Sequence, residues 1–208
     1  MRKLDLRKQL KHLYQPPKKE VVVVDVPELD FLMVDGVGDP STSQEFQQAI
    51  EALYSVAFTL KFTMKMGPAQ VDYPVMHLEG LFWLEGMQEF DFEELEQADR
   101  SSWQWTLMVT QPDLITQDLV DAAIAQVREK KDPPGLARLR FDSFAEGRCA
   151  QIMHLGPYSE ERPTIEQLHA FIKEGGHRLR GKHHEIYLSD PKRTKPENLK
   201  TIIRQPFE

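Results

Sequence analysis

Glu185 is the residue whose setting points most directly to chemistry, because this acid stands in an otherwise apolar, strand-forming run. Residues 186–188 favour a strand, residues 189–191 a turn, and residues 201–204 a second strand. Since side chains alternate between the two faces of a strand, Glu185 and Tyr187 should share one face. The aliphatic side chains should occupy the other. One face of this strand is therefore predicted to be core and the other a site.

Acidic and aromatic side chains also share faces of two other predicted strands. Glu79 and Trp83 alternate onto one face of the first, and Trp103 and Trp105 onto one face of the next. If these faces line one groove with Glu185, the groove has aromatic walls and an acidic floor. Such a cavity suits flat or cationic organic molecules, through stacking and cation–π attraction. The alternative is that the tryptophans pack in a core and the two glutamates face solvent.

Two chemical roles are open to Glu185. Surrounded by aromatic side chains it would be partly desolvated, which raises the pKa of a carboxyl group. A carboxylate with a raised pKa can accept a proton from water near neutral pH, so Glu185 is a candidate general base. The same charge could instead attract a lipophilic cation, and the sequence does not separate these roles.

The segment around Glu185 resembles the carboxyl-terminal end of the GyrI-like small-molecule-binding domains. The resemblance is carried by Glu-Ile-Tyr-Leu at 185–188, Asp-Pro at 190–191, Pro-Glu-Asn-Leu at 196–199, the strand at 201–204, Gln-Ile-Met-His-Leu-Gly-Pro-Tyr at 151–158 and Leu-Glu-Gly-Leu-Phe-Trp at 78–83. It covers about residues 20–207. The chain is most similar to the stand-alone members, because about 20 residues before the first strand leave no room for a helix-turn-helix domain. A transcription factor is therefore disfavoured.

The resemblance implies a ligand groove lined by the Glu-x-Tyr strand. Some stand-alone members hydrolyse cyclopropane-bearing DNA-alkylating toxins, with an acidic residue that directs water onto the strained ring. By this resemblance Glu185 is the expected catalytic residue. The expected ligand-binding residues are Glu79, Trp83, Trp103, Trp105, Tyr158 and Tyr187.

Two other functions stay open. The first is a binding module that sequesters small aromatic or lipophilic cationic drugs, with Glu185 as counter-charge and no turnover. The second, supported by less, is a gyrase inhibitor. Hydrolysis and sequestration differ in product formation, because only an enzyme clears its ligand at low protein concentration.

The predicted fold is a single α+β domain over residues 20–207, preceded by a basic arm over residues 1–19. Residues 20–111 and 138–207 show the same ββαββ order with an offset of about 118 residues, and a helical connector over residues 112–137 joins them. Internal duplication explains this order. The two pseudo-twofold-related halves should form a curved antiparallel sheet, with helices on one face and the ligand groove on the other.

Three helices follow from caps and apolar spacing. Ser43 can cap a helix over residues 44–61, whose apolar side chains recur every three or four residues. A second helix is predicted over residues 164–174. Thr116 can cap the connector helix, which runs to about residue 130.

The amino-terminal segment and the first strands have their own signals. Residues 2–19 carry seven Lys or Arg against one Asp, which predicts a solvated, peripheral arm. Residues 21–26 and 31–34 favour two short strands, separated at Pro27. An acidic loop is predicted over residues 85–102.

Composition limits the partners. The net charge of −7 and the pI near 5.6 argue against a nucleic-acid-binding protein, which usually presents a basic face. No apolar run approaches the ~18 residues of a membrane span. One cysteine, Cys149, and no signal-peptide pattern favour a cytoplasmic protein. We expect a monomer or a weak homo-oligomer.

The histidines give little support to a metal site. His183 and His184 are adjacent, so they should point to opposite faces of their strand. His154 and His177 lie in other segments. We therefore predict neither a metal nor another cofactor.

Overall fold

The computed structural model describes residues 1–87 and 90–208, which form an α+β fold with antiparallel strands. In chain order the elements are β1 (Arg2–Lys3), α1 (Leu6–Gln9), α2 (Lys11–Tyr14), β2 (Val22–Val37), α3 (Gln44–Met66), β3 (Val71–Asp72), β4 (Leu78–Trp83), α4 (Phe92–Gln97), β5 (Gln104–Gln111), α5 (Gln117–Lys130), β6 (Arg140–Leu155), α6 (Arg162–Glu174), β7 (His183–Tyr187) and β8 (Lys200–Pro206). Short 3-10 turns join several of them.

Six strands form a closed barrel in the order β2-β5-β4-β7-β8-β6. The antiparallel sheet was predicted, but as an open, curved sheet. The sheet closes because the two longest strands, β2 and β6, pair along most of their length, from Val22 opposite Gln151 to Met33 opposite Arg140. The succession β2, β5, β4 matches the succession β6, β8, β7. The internal repeat itself stays a prediction.

Strand β2 replaces the two short strands that were predicted on either side of Pro27. Proline lacks a backbone donor, which normally disfavours a paired strand interior. Here the register continues across it, from Val26 opposite Gly147 to Glu28 opposite Ala145. The loss of one ladder bond therefore does not end the strand.

The barrel wall has an outer side that the helices cover. Ser43 Oγ accepts a hydrogen bond from the Phe46 amide and caps α3, whose buried face packs on β2 and β5. On α6, Thr164 Oγ1 lies 2.9 Å from His154 Nδ1 of β6. Helix α5, capped by Thr116, packs on α3. The helices thus bury the alternate strand residues that point outward.

The amino-terminal arm is part of the core rather than peripheral. Leu13 and Tyr14 of α2 are buried, while the Lys and Arg side chains of the arm stay at the surface. The backbone carbonyls of His12 and Leu13 accept hydrogen bonds from Gln151 (2.7 Å) and Arg204 (2.9 Å). Leu13 and Tyr14 were not predicted as core residues because charged residues dominate the arm. These two buried side chains close one end of the barrel.

Within residues 1–87 and 90–208, every helix is too short or too polar to span a lipid bilayer.

Trp105 is a core residue, and its packing gives the first prediction. Its ring is fully buried and meets Phe46 edge-on, with centroids 5.1 Å apart. A Cβ at Gly36 would lie 2.2 Å from two carbons of this ring. We expect Gly36→Ala to lower the free energy of unfolding by roughly 1–3 kcal/mol, the usual cost of overpacking. Urea unfolding measures the loss.

The matched control is the double variant with Trp105→Phe. A smaller ring should leave room for the new methyl group, so the two substitutions should be less than additive. If Gly36→Ala is as stable as the parent chain, the ring of Trp105 is not held against β2.

Candidate functional site

The register between β4 and β7 separates two acidic clusters. Gly80 lies opposite Glu185, while Leu81 lies opposite His184 and Glu79 opposite Ile186. Directly opposed residues project to the same side of a sheet. Glu185 therefore lies on the outer, helix-covered side of the wall and Glu79 on the inner side. The prediction that placed helices and ligand groove on opposite faces does not hold for Glu185.

Glu185 lies in a polar cluster on the outer side. Tyr187 Oη donates a 2.7 Å hydrogen bond to Oε2, and His183 Nε2 lies 3.1 Å from Oε1. The ring of Tyr187 meets that of Tyr158 edge-on, with centroids 5.5 Å apart. The Glu185 side chain is 16% exposed, and Tyr158 is 38% exposed. The cluster is therefore open to solvent on the Tyr158 side.

A second carboxyl group, Glu161, lies against Glu185. It directly precedes α6, is buried, and makes no cap hydrogen bond to the helix amides. Burial, and next the charge of Glu185, raise the pKa of Glu161 to about 9. Glu161 is therefore a protonated carboxylic acid at neutral pH.

Glu185 itself stays ionised. Burial alone would raise its pKa, but the hydrogen bond and charge from His183 and the hydrogen bond from Tyr187 together lower it. This corrects the expectation of a raised pKa, because two polar groups outweigh the desolvation by aromatic neighbours. The two acids thus hold one proton between them, on Glu161.

Aromatic side chains from the first half of the chain cover His183. Phe90 stacks on its ring with centroids 5.8 Å apart, and Phe92 of α4 lies 6.1 Å away. Phe90 also contacts His169, whose pKa is lowered to about 3, first by burial and then by the charge of His183. Residues 88 and 89 of the predicted acidic loop lie outside the described residues. The rest of that segment forms α4 and supplies the two phenylalanines that cover His183.

The three tryptophans lie outside this cluster. Trp105 is sealed against α3, and Trp103 donates from Nε1 to the carbonyl of Leu95 at 3.0 Å. Trp83 lies under Lys182, whose Nζ is 3.2 Å from the ring centroid. Of the six predicted ligand-binding residues, the structure brings Tyr158 and Tyr187 to Glu185. Their contact with a ligand stays a prediction.

Glu79 belongs to a buried charge network inside the barrel. Tyr14 Oη and Thr110 Oγ1 donate to its Oε1 at 2.9 and 2.7 Å, and His184 Nε2 lies 3.1 Å from Oε2. His184 Nδ1 lies 3.0 Å from Glu146. The arm covers Glu79, which is 1% exposed and cannot touch a ligand while Tyr14 is in place.

The charges of this network are set by mutual contact. Burial alone would lower the pKa of His184, but Glu146 and Glu79 raise it. Burial would raise the pKa of Glu146, yet His184 and Arg204 lower it to about 2. A histidine donates from both ring nitrogens only as imidazolium. The network therefore contains two carboxylates and two cations.

Sequence reasoning missed Glu161 and the role of His183. Strand alternation could have placed His183 beside Glu185, since they are two residues apart. Glu161 carried a weaker signal, an acid just before a helix that begins with Arg162 and Pro163. Within the described ranges, no group of three or more His, Cys, Asp or Glu could hold a metal ion.

Comparison with known proteins identifies relatives of the whole chain. The family model of the GyrI-like small-molecule binding domain matches residues 19–207. A crystal structure of an uncharacterized conserved protein from Listeria innocua is 41% identical, with a TM-score of 0.87, over 99% of this chain and 100% of that one. No curated protein matches.

Two further crystal structures from Listeria innocua are of hydrolases. One is 40% identical with a TM-score of 0.85 and covers 100% of both chains. The other is 37% identical with a TM-score of 0.83 and covers 99% of this chain and 100% of its own.

The carboxyl pair predicts a pH-dependent stability. Because the pKa of Glu161 rises from 4.5 to about 9 on folding, the folded chain keeps a proton that the unfolded chain releases. Stability should therefore fall as pH rises between these values. Glu161→Gln removes this loss, so at about pH 8 it should be more stable than the parent, by roughly 1–3 kcal/mol.

Urea unfolding at a series of pH values measures this effect. The advantage of Glu161→Gln should shrink toward pH 4, below the unfolded pKa of 4.5, where the folded and unfolded states of the parent are both largely protonated at this position. Glu160→Gln, at an exposed neighbouring position, is the matched control and should show no such trend. An advantage that does not change with pH would mean that Glu161 is not held neutral.

Proposed function

We propose that this chain, which belongs to the family of GyrI-like small-molecule binding domains, is a hydrolase that opens the cyclopropane ring of flat, aromatic genotoxins at Glu161 and Glu185. The proposal is supported by two adjacent carboxyl groups whose surroundings raise the pKa of Glu161 and lower that of Glu185. Pairs of acids whose pKa values are pushed apart supply a general acid and a general base in one site. The two hydrolases from Listeria innocua, similar over their full length, support the reaction class.

The two carboxyl groups would divide the proton transfers. Glu185 accepts a proton from a water molecule while the water oxygen bonds to a ring carbon. The strained carbon–carbon bond breaks, and its electron pair moves onto a conjugated carbonyl oxygen, which takes the proton of Glu161. One water is added in total, and a proton transfer from Glu185 back to Glu161 restores the starting state.

The low basicity of Glu185 favours an activated substrate. His183 and Tyr187 hold it ionised, but a carboxylate with a lowered pKa is a weak general base. A strained ring conjugated to a carbonyl group needs little help from a base, whereas an amide needs far more. The pair is therefore suited to a cyclopropane that is already electrophilic.

The exposed aromatic wall favours a flat ligand. Tyr158 is the more exposed of the two tyrosines and lies edge-on to Tyr187, which leaves ring surface free for stacking. Tyr187 donates a hydrogen bond to Glu185, so a molecule stacked on the Tyr158 ring would lie close to the carboxylate. Binding and chemistry would use adjacent groups.

A second candidate function is sequestration of lipophilic cations. It rests on the ionised state of Glu185 beside two tyrosines, which is an arrangement that attracts a cation by charge and by its aromatic faces. In that case the ligand binds and is not turned over.

Glu185→Gln separates the two functions. The amide keeps the size and part of the hydrogen bonding but deletes the basic oxygen. For a neutral aromatic cyclopropane substrate, we expect affinity to stay within a few-fold while turnover falls by ~10²-fold, the lower end of the usual contribution of a general base, because Glu185 is a weak base. Single-turnover kinetics and a binding titration measure the two quantities.

Glu160→Gln is the control for this substitution and should keep both affinity and turnover. Normal hydrolysis by Glu185→Gln with weaker binding of cationic ligands alone would identify Glu185 as a counter-ion. Sequestration would then be the better account.

The pH profile of turnover tests the role of Glu161. With Glu185 as base and Glu161 as acid, the rate should fall at low pH as Glu185 is protonated, and fall again as pH rises through about 9, where Glu161 loses its proton. Glu161→Gln should remove the alkaline limb and lower the plateau. An alkaline limb that survives this substitution would assign the acid to another group.

A further inference from the structure

A pocket lies on the inner side of the barrel wall, at the end away from the arm. Tyr14 and Thr110 mark the closed end, whereas Thr106, four residues earlier on β5, lines a cavity of about 270 Å³. Its floor includes the apolar side chains of Met33 and Leu81. This cavity lies on the inner side of the wall, opposite to Glu185.

Lys182 is an unusual cation at this pocket. Its side chain is half-buried, and Nζ lies 3.2 Å from the centroid of the Trp83 ring. Among the residues that the structure describes, it forms no ion pair with a carboxylate. Asp35, whose charge acts on Lys182, is instead bound by Arg140 at 2.5 Å. Burial lowers the pKa of Lys182, as expected for an ammonium group without a paired anion.

The other charges at the cavity leave Lys182 as the open partner for an anion. The carboxylate of Glu146 reaches the pocket, but His184 and Arg204 already contact it at 3.0 and 3.2 Å. Arg180 stands beside Lys182 in the lining and donates one hydrogen bond to a backbone carbonyl, that of Glu146, at 2.6 Å. Arg140 and Asp142 also line the cavity and lie 3.8 Å apart, so their charges offset each other. Lys182 and Arg180 are the cations that remain on the polar side, and the floor is apolar.

We propose that this pocket binds small apolar carboxylates, with the carboxylate on Lys182 and Arg180 and the hydrocarbon part on Met33, Leu81 and Phe144. A half-buried ammonium group gains most from an anion that also brings its own apolar surface, because both are then removed from water. The volume fits a single aromatic ring with a short substituent. The pocket is separate from the proposed catalytic pair, because Leu81 and Glu185 face opposite sides of the wall.

Benzoate is the probe, and benzamide is its neutral isostere. We expect NMR titration of the full chain to show benzoate binding at least about tenfold more tightly than benzamide, with the largest shifts at the residues of this pocket. Lys182→Gln should abolish the preference for benzoate, while Lys130→Gln, an exposed lysine on α5, should retain it. Equal affinities for benzoate and benzamide, or an unchanged preference in Lys182→Gln, would overturn the proposal.

Two further variants keep the test decisive. Leu81→Trp places a larger ring in the cavity, on the inner side of the wall, and should block benzoate without removing any charge. If it leaves binding unchanged, benzoate binds elsewhere and the proposal fails. Glu185→Gln should not affect benzoate at all, so failure of this site and failure of the proposed hydrolysis are distinguishable. A benzoate site that is lost in Glu185→Gln would also contradict the proposal.

Discussion

The barrel depends on one buried chain of charges, in which His184 lies between Glu79 and Glu146, and Arg204 completes the set. All four side chains are at most 2% exposed, so none is compensated by water. Two carboxylates and two cations balance, and Tyr14 seals the end. Because removing one partner of a buried ion pair leaves an uncompensated charge at a cost of about 3–5 kcal/mol, the strands and the arm must assemble together.

This constraint explains why the acids on the two sides of the wall have different chemistry. Glu79 on the inner side is neutralised by His184 and covered by Tyr14 of the arm, so its role is to stabilise the fold. Glu185 on the outer side is covered only in part, and its neighbouring acid, Glu161, has no cation to neutralise it among residues 1–87 and 90–208. One proton between two carboxyl groups is the result. The proposed acid–base site therefore lies where the helices leave the wall incompletely covered.

Sequence reasoning succeeded where the signal was local. Alternation along one strand placed Glu185 and Tyr187 on one face, and the family motifs covered the chain that the family model matches. It could not tell whether a strand face meets a helix or a groove, because that depends on distant packing; hence Trp105 lies in the core. The position of Glu161 beside Glu185 could not be predicted, because it depends on how α6 packs against the barrel. The arm was misjudged because charge outnumbers its two apolar anchors, Leu13 and Tyr14.

The most direct test of the central claim is to follow the oxygen atom. A small amount of the protein is incubated with a large excess of an aromatic cyclopropane alkylator in ¹⁸O-labelled water. The product is then analysed by mass spectrometry. We expect many turnovers per protein molecule and one ¹⁸O atom per product, in a new hydroxyl group on the opened ring. Protection of the ligand at a one-to-one ratio, with no labelled product, would contradict it.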